Sequence, residues 1–423
     1  MSDLVGAYIS VPFCRAKCTY CNFASGMFGA GPSGVARMDR YVERVCAEMR
    51  AVRGAAARMG AELPGRVDTV FLGGGTPSLL SAGQMRRLFE ALRGEFEVSA
   101  GAEITLECAP GQLSEETLDE MLGVGMNRVS FGVQSFVDAE ARAVGRLHTR
   151  AMCLAEIARM RAAGVEDMNV DLIVGLPGQT AESWRESVDV VLESGVPHVS
   201  VYMLEVDEDS RLGREVLKAG NRKQGAGNGL KYGADAVPSE DEIAGWYGAA
   251  CEWMEADEVR QYEISNFARE GRRSKHNMKY WRREPYVGFG LDAHSMLRTP
   301  EGAVRWANTD DMGRYEALGS GFERDAAFVQ LAGGTGPEVE TIGKEKGFEE
   351  GMFLGLRMND GVDLEAVRME FGEGLMRDAV LALDDVEEAG LVARDGSWVR
   401  LTARGRMASN EVFSRLLVGA AVG

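Results

Sequence analysis

Apolar positions along the first ~205 residues alternate between two kinds of segment. Short runs rich in Val, Ile, Leu and Phe at 8–11, 67–72, 104–107, 128–132, 168–174 and 198–204 predict strands. Longer stretches at 37–58, 82–92, 115–122, 151–163 and 181–192 predict helices between them. Such alternation favours a parallel α/β architecture. Three helix-to-strand joints look alike: Leu122-Gly123-Val124-Gly125, Ala163-Gly164-Val165 and Ser194-Gly195-Val196-Pro197. Glycine just past a helix end is the usual left-handed cap. Its recurrence predicts repeated βα units rather than a mixed sheet. Six such units make a partial, open barrel.

The pattern then changes. Residues 218–239 are rich in Gly, Ala, Asn and Lys without an apolar period, and read as a mobile insertion. A polar, glycine-rich stretch at 331–347 reads as a linker. Beyond it come short helices at 348–358 and 364–371, a helix at 377–389, and two short strands around Asp395-Gly396. That order suggests a C-terminal helical, winged-helix-like domain, whose usual DNA association does not decide function. The expected division is 1–210 for the barrel, 211–330 for an extension, and 331–423 for the C-terminal domain.

Charge and cysteine usage narrow the classes. Lys plus Arg is 47 against 65 Asp plus Glu, a formal charge of −18, which disfavours nucleic-acid binding through a globally basic surface. No signal peptide or spanning apolar run is visible, and seven cysteines, three of them clustered, do not form a secreted disulfide framework. The expectation is a soluble cytoplasmic protein.

The cluster is Cys14-Arg15-Ala16-Lys17-Cys18-Thr19-Tyr20-Cys21, a C-x-x-x-C-x-x-C spacing behind the first strand. Three thiolates on one loop can hold three corners of a cubane iron–sulfur cluster and leave one iron open. A partial zinc site or a redox C-x-x-C remains an alternative. Polar residues gather where the strands end. Gly73-Gly74-Gly75-Thr76-Pro77 follows the second strand, Glu107 ends the third, Gln134 follows the fourth, Asp171 lies in the fifth, and Glu205 follows the sixth. In βα barrels, functional side chains collect at these carboxyl ends. Together with Arg146 they could bind a zwitterionic, ribose-bearing cofactor, carboxylates meeting ammonium or hydroxyls and Arg146 meeting a carboxylate.

The cysteine loop, Gly-Gly-Gly-Thr-Pro, the 128–135 run ending in Gln134-Ser135, and Asp171-Leu172-Ile173-Val174-Gly175-Leu176-Pro177 resemble the radical S-adenosylmethionine (SAM) superfamily. Within it the chain is most similar to the oxygen-independent coproporphyrinogen oxidase group, and there to the HemW-type haem chaperones. The resemblance implies that Cys14, Cys18 and Cys21 ligate a 4Fe–4S cluster and that SAM chelates its open iron. It further implies that Tyr8, Gly74, Gly75, Thr76, Glu107, Gln134, Arg146 and Asp171 contact SAM, with Tyr20 beside the adenine. Electron transfer from such a cluster would cleave SAM to methionine and a 5′-deoxyadenosyl radical.

Two residues separate the family's branches. The oxidase branch resembles C-x-x-x-C-x-x-C-x-C, and here the last position is Phe23. The chaperone branch carries H-N-x-x-Y-W, and here His276-Asn277-Met278-Lys279-Tyr280-Trp281 stands. A neutral imidazole suits haem iron, so His276 is the expected haem residue. His294 reads as a hydrogen-bonded core histidine or a second pocket residue, and His148 and His198 as structural. The resulting expectation is a haem chaperone that delivers haem, as cargo, to acceptor proteins, some of them membrane-associated. A homodimer and an unidentified electron donor are open questions of assembly. The alternative is an enzyme, a coproporphyrinogen III dehydrogenase converting two propionates to vinyl groups.

Overall fold

The computed structural model describes residues 3–28, 31–220, 231–317 and 338–417. Six parallel strands lie side by side in chain order: β1 Leu4–Val11, β2 Arg66–Gly74, β3 Glu97–Cys108, β4 Arg128–Gln134, β5 Asp167–Val174 and β6 His198–Met203. Helices α1 Pro32–Arg58, α2 Ala82–Glu95, α3 Glu115–Gly123, α4 Arg150–Ala162 and α5 Ala181–Glu193 connect them. The local sequence explains the sharp boundaries. Ser81 and Gln84 cap α2 reciprocally, Gln84 N donating to Ser81 Oγ at 3.3 Å and Ser81 N to Gln84 Oε1 at 2.9 Å. At the other ends, Gly125, Gly164 and Gly195 take φ of 93°, 85° and 68°, the left-handed conformation read from the recurrent joints.

The expected parallel βα units of the first ~205 residues are thus present, and the sheet continues beyond them with strands of mixed direction. Beyond β6 it adds β7 Arg260–Gln261 and β8 Asn266–Ala268, with β8 antiparallel to β6. At the opposite edge β9 Tyr286–Phe289 runs parallel to β1. It is followed by the antiparallel β10 His294–Thr299, β11 Gly302–Ala307 and β12 Glu338–Ile342. Among the described residues the order is β12-β11-β10-β9-β1-β2-β3-β4-β5-β6-β8-β7, a 12-stranded sheet. The added strands are two to six residues long, too short to show a period, yet they cover edges that six parallel strands would leave unpaired.

The described residues of the 211–330 segment share the barrel's core. Tyr247, Met254, Phe289, Trp306 and Tyr315 belong to the same apolar core as β1–β6. A second core, from Phe348 to Leu416, forms the C-terminal domain. There α-helices pack on an antiparallel sheet in which Trp398–Leu401 lies between Val362–Asp363 and Val392–Asp395. The centre of the expected mobile insertion, 221–230, and the first part of the expected linker, 331–337, lie outside the described residues; the rest of that expected linker is corrected, since it forms β12 and the start of a helix, Lys344–Arg357.

The barrel's lower end is closed by a helix of 7 residues, Lys275–Trp281, which carries the H-N-x-x-Y-W motif. Its first amides donate to the Glu103 carboxylate, Lys275 N and His276 N each at 3.0 Å. A carboxylate at a helix start satisfies amides that have no partner within the helix.

Candidate cofactor cavity at the barrel mouth

A cavity of about 650 Å³ opens at the carboxyl ends of the strands. Cys14, Cys18, Tyr20 and Cys21 line one side of it, and Gly74, Gly75, Thr76, Glu107, Gln134, Arg146 and Asp171 the other. Residues more than 150 positions apart in the chain thus line one cavity. Tyr8 faces an adjoining hollow that shares Gly74, Glu107 and Phe23 with the main cavity.

The cysteine loop is tied down by its own backbone and by the barrel. Gly26 N donates to Pro12 O at 2.9 Å and Phe28 N to Cys14 O at 2.9 Å, while Thr19 N reaches Val144 O at 3.0 Å. Lys17 Nζ donates to the carbonyls of Phe23 and Ser25, both at 3.1 Å. Thr76 Oγ1 donates to Cys14 Sγ at 3.7 Å and an Arg146 nitrogen to Cys18 Sγ at 3.4 Å. Burial pushes the Cys14 and Cys21 thiols up. Among the described residues no three potential ligands close on one point, as a single zinc ion requires. Cys14, Cys18 and Cys21 nevertheless all line this one cavity, where three thiolates could serve a cubane cluster as well as part of a zinc site. Cys108 also lines the cavity, but burial pushes its thiol up to about 12 and it donates to Ala109 O.

Two carboxylates share the inner wall. Glu107 accepts from Gly74 N at 3.1 Å, and its carboxyl is raised to about 8 by burial, then by the charge of Asp171. Asp171 is also raised by burial, although Asn169 Nδ2 donates to it at 2.7 Å and Ser130 Oγ at 3.4 Å. Arg146 donates to the Gly132 carbonyl, and its Nε is buried without a partner.

The backbone bends to open this wall. Gln134 has φ 72°, where the β4–β5 register slips past Gly132, and Gly74 has φ 100°. A side chain at φ > 0 costs on the order of 1–3 kcal/mol and is found mostly at ligand clamps. A Cβ on Gly75 would lie 2.7 Å from Val11 O, so only glycine lets this strand end pass beneath the loop. Raised carboxyls, an unpartnered guanidinium nitrogen and a side-chain-free cradle together fit a ligand carrying both charges and close backbone contacts.

The structure does not bring His276 to this cavity or to solvent. Its ring is 1 % exposed, with Nδ1 2.9 Å from Thr69 Oγ1 and Nε2 2.9 Å from the Tyr280 hydroxyl. Burial, then Lys279, lowers its pKa to about 3, so it is neutral. Both nitrogens are therefore committed, which corrects the expectation of a haem-facing imidazole. His294 is corrected in the other direction: its side chain is 56 % exposed, 3.8 Å from Asp292. His198 is internal, hydrogen-bonded to Asn169 and Tyr262, and His148 is held against Val133 O.

Sequence reading missed the cover over the cavity. Ile264, Ser265, Arg357 and Phe413 also line it, the last two from the C-terminal domain. Arg357 bridges the parts, donating to the fully buried Glu263 at 2.9 Å and lying 4.5 Å over the Trp281 ring. These residues are distant in sequence and carry no motif.

The model of the radical SAM superfamily matches residues 8–191, and that of the HemN C-terminal domain matches residues 344–408. The chain is 32% identical over 412 residues to a Bacillus subtilis protein named heme chaperone HemW, covering 97% of this chain and 98% of that one. It is 30% identical to the Lactococcus lactis protein of the same name, covering 97% of each. A solved structure of Escherichia coli coproporphyrinogen III oxidase, HemN, superposes with TM-score 0.78 over 98% of this chain and 89% of that one. At 21% identity that likeness shows the fold.

Proposed function

Because the chain belongs to the radical SAM superfamily, in the family of the full-length relatives named heme chaperone HemW, we propose that it carries haem and hands it to acceptor proteins. The observation that carries this reading is full-length similarity to proteins of that name, at 32% identity over 97% of the chain. Phe23 supports it: where the oxidase branch has a fourth loop cysteine, this chain exposes an aromatic ring, 60 % accessible. All seven cysteines are free, consistent with a reducing, cytoplasmic setting. No helix among the described residues is long and apolar enough to cross a membrane.

Cys14, Cys18 and Cys21 would hold a 4Fe–4S cluster, and the opposite wall would hold SAM. When bound, the pair supplies one-electron chemistry. The chain's own residues do the rest. Glu107 and Asp171 offer carboxylates to cationic or hydroxyl groups, and Arg146 offers its free Nε to a carboxylate. The Gly74–Gly75 backbone allows close approach. Tyr20 packs with Val144, Ile173, Leu176 and Leu204, an apolar wall suited to adenine. Phe413 and Arg357 limit water entry from above.

The test is haem transfer. Purified protein loaded with one equivalent of haem should pass it to apomyoglobin, used as a probe acceptor, without consuming SAM stoichiometrically. Failure to retain haem through gel filtration would reject the reading.

A further inference from the structure

If haem is the cargo, its iron needs a ligand, and the histidine inventory is short. The chain has 4 histidines. His148 is held against Val133 O, and both ring nitrogens of His198 and of His276 are hydrogen-bonded inside the barrel. His294 alone presents an accessible ring, 56 % exposed at the side chain. It stands at the rim of a hollow of about 310 Å³ on the outer flank of the barrel mouth. Pro12, Phe23, Tyr280, Tyr286 and Leu291 give that hollow apolar and aromatic walls. A second hollow, of about 250 Å³, shares Pro12, Ala24 and Leu291 with it and extends along the cysteine loop to Met27, 72 % exposed.

We propose that haem binds across these two joined hollows with His294 as the axial ligand to iron. This rests on the haem-carrying reading and names its site. A flat macrocycle needs apolar faces and one nitrogen donor, and this is the surface that offers both. Arg37, lining the outer hollow and ion-paired with Glu316 at 2.6 Å, is the cation placed to meet a propionate.

The support beneath His294 is rigid. Gly290 N donates to the buried Glu48 at 3.1 Å, Leu291 N to Tyr41 Oη at 2.9 Å, and Asn308 Nδ2 to Glu48 at 2.6 Å. His294 itself pairs with Ala307 at the start of β10. A fixed donor on a strand end is what a ligand to iron requires.

The placement also gives the H-N-x-x-Y-W motif a role. His276 accepts from or donates to the Tyr280 hydroxyl, and Tyr280 meets Tyr286 edge-on at 4.6 Å, 83°. Both tyrosines are walls of the hollow, so His276 is a positioning residue, one layer behind the haem. Phe23, Gly74 and Glu107 line both this hollow and the cofactor cavity. Cargo and cofactor sites therefore share a wall built partly by the cysteine loop.

The experiment titrates the full-length protein with haemin and follows the Soret band and, after reduction, the iron–imidazole stretch in resonance Raman spectra. Wild type should show single-imidazole ligation at one haem per chain. His294→Ala should lose the iron–imidazole stretch and weaken retention at least tenfold, with an unchanged melting curve. Added imidazole should restore the stretch. His276→Gln should keep the wild-type ligation spectrum with a few-fold weaker affinity. An unchanged spectrum in His294→Ala, or loss of ligation only in folded His276→Gln, would overturn the site while leaving haem carriage intact. No stoichiometric haem binding by wild type would overturn both the site and the functional reading.

Discussion

The proposed contact between Glu107 and SAM predicts pH-dependent binding, with a sign set by the raised carboxyl. Its carboxyl is raised to about 8, first by burial and then by Asp171. At pH 7 only about one site in eleven then carries the negative charge that attracts a cationic ligand. If the ionised form is the binding form, apparent affinity at pH 7 falls by that fraction, and raising pH to 9 should tighten binding about tenfold. Binding at pH 7 should release about 0.9 proton, measurable by calorimetry of the cluster-reconstituted protein in two buffers of different ionisation enthalpy. Glu107→Gln should abolish both the slope and the proton release. Asp171→Asn removes the second cause of the shift and should move the slope to lower pH. The linkage with stability has the opposite sign. The folded pKa lies above the unfolded one, so stability falls as pH rises from about 4.3 towards 8. The Gln variant should lack that fall. Affinity independent of pH between 6.5 and 9, or a Gln variant that keeps the wild-type slope, would refute this reasoning.

Cys18→Ala should sharply reduce the four-iron content of anaerobically reconstituted protein; iron and sulfide analysis with unchanged content would remove the loop as the cluster site. Gly74→Ala forces a side chain into φ 100° with its Cβ 3.0 Å from Ser10 Oγ, and should cost about 1–3 kcal/mol in urea unfolding and weaken SAM binding. Arg357→Ala leaves the buried Glu263 carboxylate with only its local donors, Ser265 N at 3.0 Å and Asn266. Because Arg357 is 29 % exposed, the expected loss is about 2 kcal/mol, below the range for fully buried pairs. Equal stability of that variant would show that the contact does not hold the C-terminal domain over the mouth.

The parts legible in the sequence were those with local causes. Strands β1–β6 are rich in apolar residues, and the caps at Gly125, Gly164 and Gly195 follow from backbone geometry alone. The cysteine loop and strand-end polar residues could be assigned because a parallel barrel places all strand ends on one rim. The edge strands β7–β12 were not visible, since pairing with β6 and β1 rather than their own pattern makes them strands. Histidine roles were misjudged for a related reason. His276 and His294 both sit beside apolar residues, and sequence does not say which face is turned inward. Thr69 and Tyr280 decide it for His276, and an exposed β10 start decides it for His294. The cover from Arg357 and Phe413 depends wholly on domain docking, for which no local signal exists.

The proposed function requires that the barrel carry haem rather than convert a porphyrinogen. One side-by-side measurement tests it: anaerobically reconstituted protein with SAM and reductant, given haem plus apomyoglobin in one arm and coproporphyrinogen III in the other. The account predicts stoichiometric haem transfer and no accumulation of protoporphyrinogen over many equivalents. Multiple turnovers of coproporphyrinogen without haem transfer would contradict it.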